Sequence, residues 1–91
     1  MNLWTQIEIY VLTLGISWLQ GNAQQIEKDL APYIQDGENA IIAAVSKLSP
    51  SLGALLQAAL TALGPDLPKF EGDAVAWLVA VAQAYLKKLQ G

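Results

Sequence analysis

Carboxyl groups are the candidates for catalysis in this chain, because it contains no Cys and no His. An acid–base pair needs two carboxyl groups in one pocket whose surroundings separate their pKa values. Asp36 and Glu38 are two residues apart, as are Glu71 and Asp73, and that spacing on a helix turns two side chains about 200° from each other. We therefore expect the carboxylates to lie on solvated faces, at helix caps or near helix dipoles. They are Glu8, Glu27, Asp29, Asp36, Glu38, Asp66, Glu71 and Asp73.

Motifs for metals, phosphates and covalent catalysis are missing as well. Without Cys and His, structural zinc, thiolate chemistry and disulfides are excluded. The acidic run at Asp36 is too short for a calcium loop, and the sequence has neither a Gly-rich phosphate loop nor a G-x-S-x-G elbow. The sequence thus predicts a protein that is not an enzyme, with no catalytic residue, no metal site and no cofactor.

The charge of the chain excludes another class of function. The net charge is -3, Arg is absent, and five Lys residues carry all the positive side-chain charge. Nucleic-acid binding normally uses basic patches and guanidinium groups. We therefore expect no nucleic-acid partner.

The spacing of apolar residues determines the fold class. Apolar residues recur at intervals of three and four, as in amphipathic helices, and no segment alternates as a strand does. The length suits one domain, residues 1–91. The predicted fold is all-α, a small bundle of about four helices spanning residues 3–20, 22–48, 50–63 and 68–90.

Capping residues set the expected helix ends. Gly21 is a good left-handed residue after the first helix, and Asn22 with Gln25 forms a capping-box variant at the start of the second. The pair Ser49 and Pro50 is a strong start signal for the third helix. The fourth begins at Pro68 or is recapped after Gly72, at Asp73.

The second segment allows two interpretations. An apolar stripe runs along it in helical phase, across both Pro32 and Gly37. We favour one continuous helix that is kinked at Pro32. The alternative is a break near Gly37, which makes two short helices from the same stripe. The stripe consists of Ile26, Leu30, Ile34, Gly37, Ile41, Val45 and Leu48.

The first helix is unusually apolar. One face carries Ile7, Tyr10, Leu14 and Trp18, and the adjoining face carries Ile9, Leu12, Ile16 and Leu19. Its single charge, Glu8, is expected at the margin near water. Such a helix must be surrounded by protein or touch lipid. We favour protein for Trp4 and Trp18, which lie about 21 Å apart along it.

The apolar segments are short or interrupted for a bilayer, which needs about 20 residues. No Lys precedes Lys28, so the positive region of a secretory signal peptide is not expected. We therefore favour a virion or the cytoplasm as the location, with membrane association as the alternative.

Hydrophobic residues make up 54% of the chain and charged residues 14%, where about 25% charged is usual. The surplus of apolar surface predicts a non-enzymatic helical structural subunit that self-associates or packs into a multi-subunit assembly. A bacteriophage virion component is the more specific hypothesis and rests on no motif. The alternatives are a holin-like or membrane-associated oligomerising protein and a soluble accessory protein that binds a partner helix. The predicted interface residues are Trp4, Tyr10, Leu14, Trp18, Leu52, Leu56, Gln57, Ala58, Leu60, Ala76, Ala80 and Ala84.

Overall fold

The all-α prediction is confirmed by a computed structural model that describes residues 2–91. These residues form five α-helices and no strand. The helices are α1 (Leu3–Gly21), α2 (Ala23–Leu30), α3 (Glu38–Leu48), α4 (Pro50–Leu63) and α5 (Ala74–Gln90). Short 3-10 helices at Ala31–Asp36 and Gly64–Asp66 join α2 to α3 and extend α4.

The core lies where α5 packs against α1, α4 and α2, and where α3 and α4 form a tight pair. The largest fully buried side chains come from all five helices: Leu12, Leu19, Leu30, Ile41, Ile42, Val45, Leu52, Leu56, Leu78 and Val81. Within residues 2–91 no polar or charged residue is buried with them. The hydrophobic effect is therefore the main force that holds this core together.

The total surface is ordinary for a chain of this mass. The accessible area is 5415 Å², against about 5,100 Å² expected for a folded 9.7 kDa monomer. The helices are therefore packed about as closely as in other small proteins. The unusual feature is which residues form the surface, and it does not come from loose packing.

The favoured interpretation of the second segment, a continuous kinked helix, is wrong. Gly37 has φ 96° and ψ −179°, a conformation that ends the 3-10 segment before α3 begins at Glu38. The Gly37 carbonyl accepts the first hydrogen bond of α3, from the Ile41 N–H at 3.1 Å. The alternative, a break near Gly37, is what the structure has, and this accounts for five helices where four were predicted.

Several caps also differ from the predictions. Gly21 belongs to the right-handed helix α1, and Asn22 ends that helix by donating its side-chain N–H to the Trp18 carbonyl at 3.0 Å. Asn22 therefore does not cap α2 with its side chain, and Gln25 donates to Asp29 instead of completing a capping box.

The starts of the last two helices follow their signals. Ser49 adopts the extended N-cap conformation with Pro50 as the first residue of α4. The last helix starts at the alternative cap, Asp73, whose carboxylate accepts the Ala76 N–H at 2.9 Å. The predicted start at Pro68 is wrong because Gly72, at φ 101°, turns the chain just before the cap.

Gly37→Ala and Gly37→Leu should both destabilise the protein. The φ and ψ of Gly37 lie in a region that is essentially restricted to glycine, and side chains there cost about 1–3 kcal/mol. A Cβ at Gly37 would meet no atom within 4 Å, so crowding adds nothing for alanine. Chemical denaturation should give similar losses for the two variants. A stabilised Gly37→Ala variant would contradict the observed backbone.

Candidate interaction surface

The exposed face of α1 is the outstanding feature of the surface. Five large apolar side chains lie on it, and we call these five residues the α1 face: Leu3 (71% exposed), Trp4 (69%), Ile7 (44%), Tyr10 (65%) and Leu14 (52%). Leu48, at 45%, is the remaining large apolar side chain in residues 2–91 with comparable exposure.

The opposite side of α1 explains why this face is left outside. Leu12, Gly15 and Leu19 are buried against the neighbouring helices. They lie within about 60° of one another around the helix axis, so docking them turns Tyr10 and Leu14 outward. Of the two apolar faces read from the sequence, the one carrying Leu12 and Leu19 is in the core, and the one carrying Ile7, Tyr10 and Leu14 is on the surface.

The only charge of α1 is directed away from the α1 face. Glu8 is half-buried and meets Tyr85 of α5, a buried residue. Burial raises the pKa of the Tyr85 hydroxyl, and the negative charge and hydrogen-bond acceptance of the Glu8 carboxylate raise that pKa further. The α1 face is therefore free of charge, and a partner can cover it without desolvating an ion.

A groove borders the α1 face where α1 meets α4. Its volume is about 210 Å³. The two helices approach closely because Gly15 has no side chain: a Cβ there would lie 2.5 Å from Leu52 Cδ1. The groove is lined by Val11, Leu14, Gly15, Trp18, Ser49, Ser51 and Leu52.

The predicted interface residues fall into three groups. Trp4, Tyr10 and Leu14 are exposed together on the α1 face, and half-buried Trp18 lies beside them in the groove. Leu52 and Leu56 are 1% and 0% exposed, so the structure places these two in the core and not on an outer surface.

The remaining candidates lie on other helices. On α4, Gln57 and Ala58 are exposed and Leu60 is half-buried. On α5, Ala76 is exposed and Ala80 and Ala84 are half-buried. The structure thus brings the aromatic candidates of α1 together and leaves the α4 and α5 candidates as separate, weaker surfaces.

Two carboxylates meet at the start of α5, an arrangement that no sequence pattern predicts. Glu27 of α2 accepts the Ala74 N–H at 3.0 Å and the Val75 N–H at 3.4 Å, across 47 and 48 residues of chain. Asp73 faces Glu27 and accepts the Ala76 N–H. Both groups border an open cleft of about 480 Å³ between α2 and α5.

The pair has separated pKa values. Desolvation by burial raises the pKa of Glu27 above its ordinary 4.5, and the hydrogen bond to Asp73 raises it further. The same hydrogen bond, together with the Ala76 N–H, lowers the pKa of Asp73 below 3.8. Both carboxyl groups accept backbone N–H groups of the first turn of α5, which need partners at a helix start. The arrangement therefore docks and caps α5.

Glu27→Gln should remove a pH dependence of stability. A raised pKa means that folded protein binds more protons than unfolded protein, so the wild type loses stability as pH rises above 4.5. The lowered pKa of Asp73 has the opposite effect, because it makes the protein lose stability as pH falls below 3.8. Denaturation at a series of pH values should show the fall above 4.5 in wild type and in a Glu71→Gln control. If the stability of Glu27→Gln also fell above pH 4.5, this account would be contradicted.

Within residues 2–91 no group of three or more carboxylates could hold a metal ion. Over the same range, no helix has both the length and the hydropathy to cross a membrane. Comparison with protein-family models, curated proteins and solved structures gives no match to this chain.

Proposed function

We propose that the protein is a non-enzymatic helical structural subunit that works by self-association, within a larger multi-subunit assembly. The observation that carries this proposal is the α1 face, which presents five large apolar side chains and no charge. Monomers rarely expose contiguous apolar patches beyond a few hundred Å², and larger ones mark interaction sites. Within this class, a bacteriophage virion component remains our specific hypothesis.

Two other functions would use the same face differently. A holin-like or membrane-associated protein would place the α1 face against lipid, with Trp4 and Tyr10 at the headgroup level. A soluble accessory protein would bind a partner's helix along it. We favour self-association because four residues of the face are spaced at 4, 3 and 4 along the chain, a pattern that is the same in both directions and suits a second copy.

Sedimentation velocity without detergent tests the proposal. We expect species larger than a 9.7 kDa monomer, in a proportion that rises with protein concentration. The membrane alternative predicts that the protein expressed alone sediments with membranes and resists carbonate extraction. The accessory alternative predicts a monomer at all concentrations, and either of those results would overturn the proposal.

The outer side of α4 provides a second place to test assembly. Gln57 and Ala58 are exposed in a helix with no charge, so a neighbour can pack there without burying an ion. Gln57→Lys should weaken higher-order assembly by roughly tenfold and leave the unfolding free energy within about 0.5 kcal/mol, as is usual for surface changes. Unchanged sedimentation of this variant would restrict the contacts to other surfaces.

A further inference from the structure

We infer that the α1 face is covered by α1 of a second copy of this chain, in an antiparallel pair related by a twofold axis, with Trp4 of each copy seated in the other's groove between α1 and α4. This inference rests on the proposed self-association and specifies its geometry.

The spacing of the α1 face is self-complementary. Leu3, Ile7, Tyr10 and Leu14 follow one another at intervals of 4, 3 and 4 residues, which read the same in both directions. An antiparallel pair centred between residues 8 and 9 therefore sets Leu3 opposite Leu14 and Ile7 opposite Tyr10. Alternating intervals of 3 and 4 are also the pattern of a seam between two helices.

The area is close to the lower limit for a specific contact. Large aromatic side chains offer roughly 150–250 Å² each when fully exposed, so five large apolar residues at 44–71% exposure present on the order of 500 Å². Two copies bury about twice that amount, and the neighbouring side chains add to it. The sum approaches the roughly 1,200 Å² at which standard stable interfaces begin.

The position of Trp4 favours the antiparallel arrangement. Around the helix axis, Trp4 lies within about 40° of Val11, Gly15 and Trp18, on the side where α1 borders the groove. In an antiparallel pair, the twofold axis is perpendicular to both helix axes. The side of α1 that carries Trp4 and the groove therefore points the same way in both copies. Trp4 of one copy then lies level with residue 13 of the other, beside the groove.

The groove has room for the six-membered ring of the Trp4 indole. Its volume of about 210 Å³ exceeds the roughly 150 Å³ of a cavity that binds benzene. The walls contributed by α1 are apolar, and Ser49 and Ser51 supply hydroxyl groups at the α4 side. An indole ring combines an apolar body with one N–H donor, which matches this lining.

A parallel pair would use the surface less well. Trp4 would then lie level with Trp4 of the other copy but on the opposite side of the pair, and the groove residues from Val11 to Trp18 begin about 10 Å farther along the helix. The first turn of α1 has no acidic residue and its last turn no basic one. The helix dipoles are therefore not compensated by side-chain charges. Only the antiparallel pair places the positive end of each dipole beside the negative end of the other, which is favourable.

Cross-linking tests the geometry, because the chain has no native Cys. Isotopically labelled Leu3→Cys protein is mixed with unlabelled Leu14→Cys protein, and a short bis-maleimide is added. We expect mixed dimers between positions 3 and 14 to exceed either homodimer by at least tenfold. Gln25→Cys, on exposed α2, is the control for random collision and should cross-link only weakly.

Two variants test the seat of the Trp4 ring. Trp4→Ala removes the ring, and Ser51→Leu fills the groove from an exposed position on α4. Each should raise the dimer dissociation constant at least tenfold and leave thermal unfolding of the monomer almost unchanged. Unchanged dissociation constants for both variants would overturn the assignment of the groove.

The outcomes separate this inference from the proposed function. Homodimers at both positions in a protein that self-associates would mean a parallel pair, and an absence of cross-links would mean that α1 does not pair with itself. Both results overturn the inference and leave self-association standing. A wild type that stays monomeric at all concentrations would overturn the proposed function, and the inference with it.

Discussion

Tyr10→Lys is expected to abolish self-association at concentrations where the wild type is fully assembled. Tyr10 lies at the centre of the α1 face and is 65% exposed in the single chain, so a lysine there is solvated in the folded monomer. In the assembly the same ammonium group would be buried without a partner. Such an unpaired charge costs about 3 kcal/mol or more, which weakens association by roughly a hundredfold.

The control is Gln25→Lys, which adds the same charge on α2. Gln25 is exposed and pairs with Asp29 one turn later, so a lysine at this position keeps a favourable partner. Sedimentation equilibrium should give a monomer for Tyr10→Lys and wild-type association for Gln25→Lys. Equal association of the two variants would mean that Tyr10 remains exposed in the assembly.

Gly53→Ala is expected to be the most destabilising small change in the fold. Gly53 is buried in α4 where α3 crosses it, and a Cβ there would lie 2.6 Å from the Cα atom of Ser46. Because the obstructing atom belongs to the backbone, the two helices must move apart to make room. Overpacking of this kind costs about 1–3 kcal/mol, against a total stability of about 5–15 kcal/mol for a domain.

Gly21→Ala provides the matched control within a helix. Gly21 is in α1, has no positive φ, and a Cβ there meets nothing within 4 Å. Alanine should therefore stabilise the protein by about 0.5–1 kcal/mol through its helix propensity. Urea denaturation should move the two variants in opposite directions from the wild type. Stabilisation of both would contradict the close contact between α3 and α4.

The helical periodicity predicted which residues face the core better than it predicted where helices end. Of the seven residues of the predicted stripe, four lie in the core (Ile26, Leu30, Ile41 and Val45), Ile34 is half-buried, and Gly37 and Leu48 are exposed. The apolar residues keep the same helical spacing on both sides of Gly37, although the helical backbone is interrupted there. A periodic pattern records which side of a segment is buried, and it stays in register when a helix stops and restarts along a similar direction.

Paired local signals succeeded in one place and failed in another: Asn22 and Gln25 form no capping box, because both side chains bond elsewhere. Ser49 followed by Pro50 marks the start of α4 in the structure. Gly21 was a single signal for a helix end, and the structure places the end at Asn22, whose side chain reaches the Trp18 carbonyl. A lone glycine is compatible with a helix interior at a cost of only about 1 kcal/mol, so its presence fixes no boundary.

The two features that define the sites depend on tertiary contacts. Glu27 and Ala74 are 47 residues apart, and nothing in the sequence near Glu27 signals a contact with the start of α5. The periodicity of α1 likewise indicates two apolar faces without showing which one is buried. That choice depends on how Leu12 and Leu19 fit against neighbouring helices, which periodicity does not describe.

The fluorescence of Trp4 tests most directly whether a second copy covers the α1 face. Its emission is measured in the Trp18→Phe, Trp77→Phe double variant, where Trp4 is the one tryptophan left of three. Trp18 must be replaced because it is half-buried beside the groove, so its own emission would change when a second copy binds. We expect blue-shifted Trp4 emission in concentrated, detergent-free protein and a red shift on dilution below the association midpoint. Vesicles of brominated lipid should leave the emission unchanged. Strong quenching by those vesicles without any effect of dilution, or emission typical of exposed tryptophan at every concentration, would contradict self-association through α1.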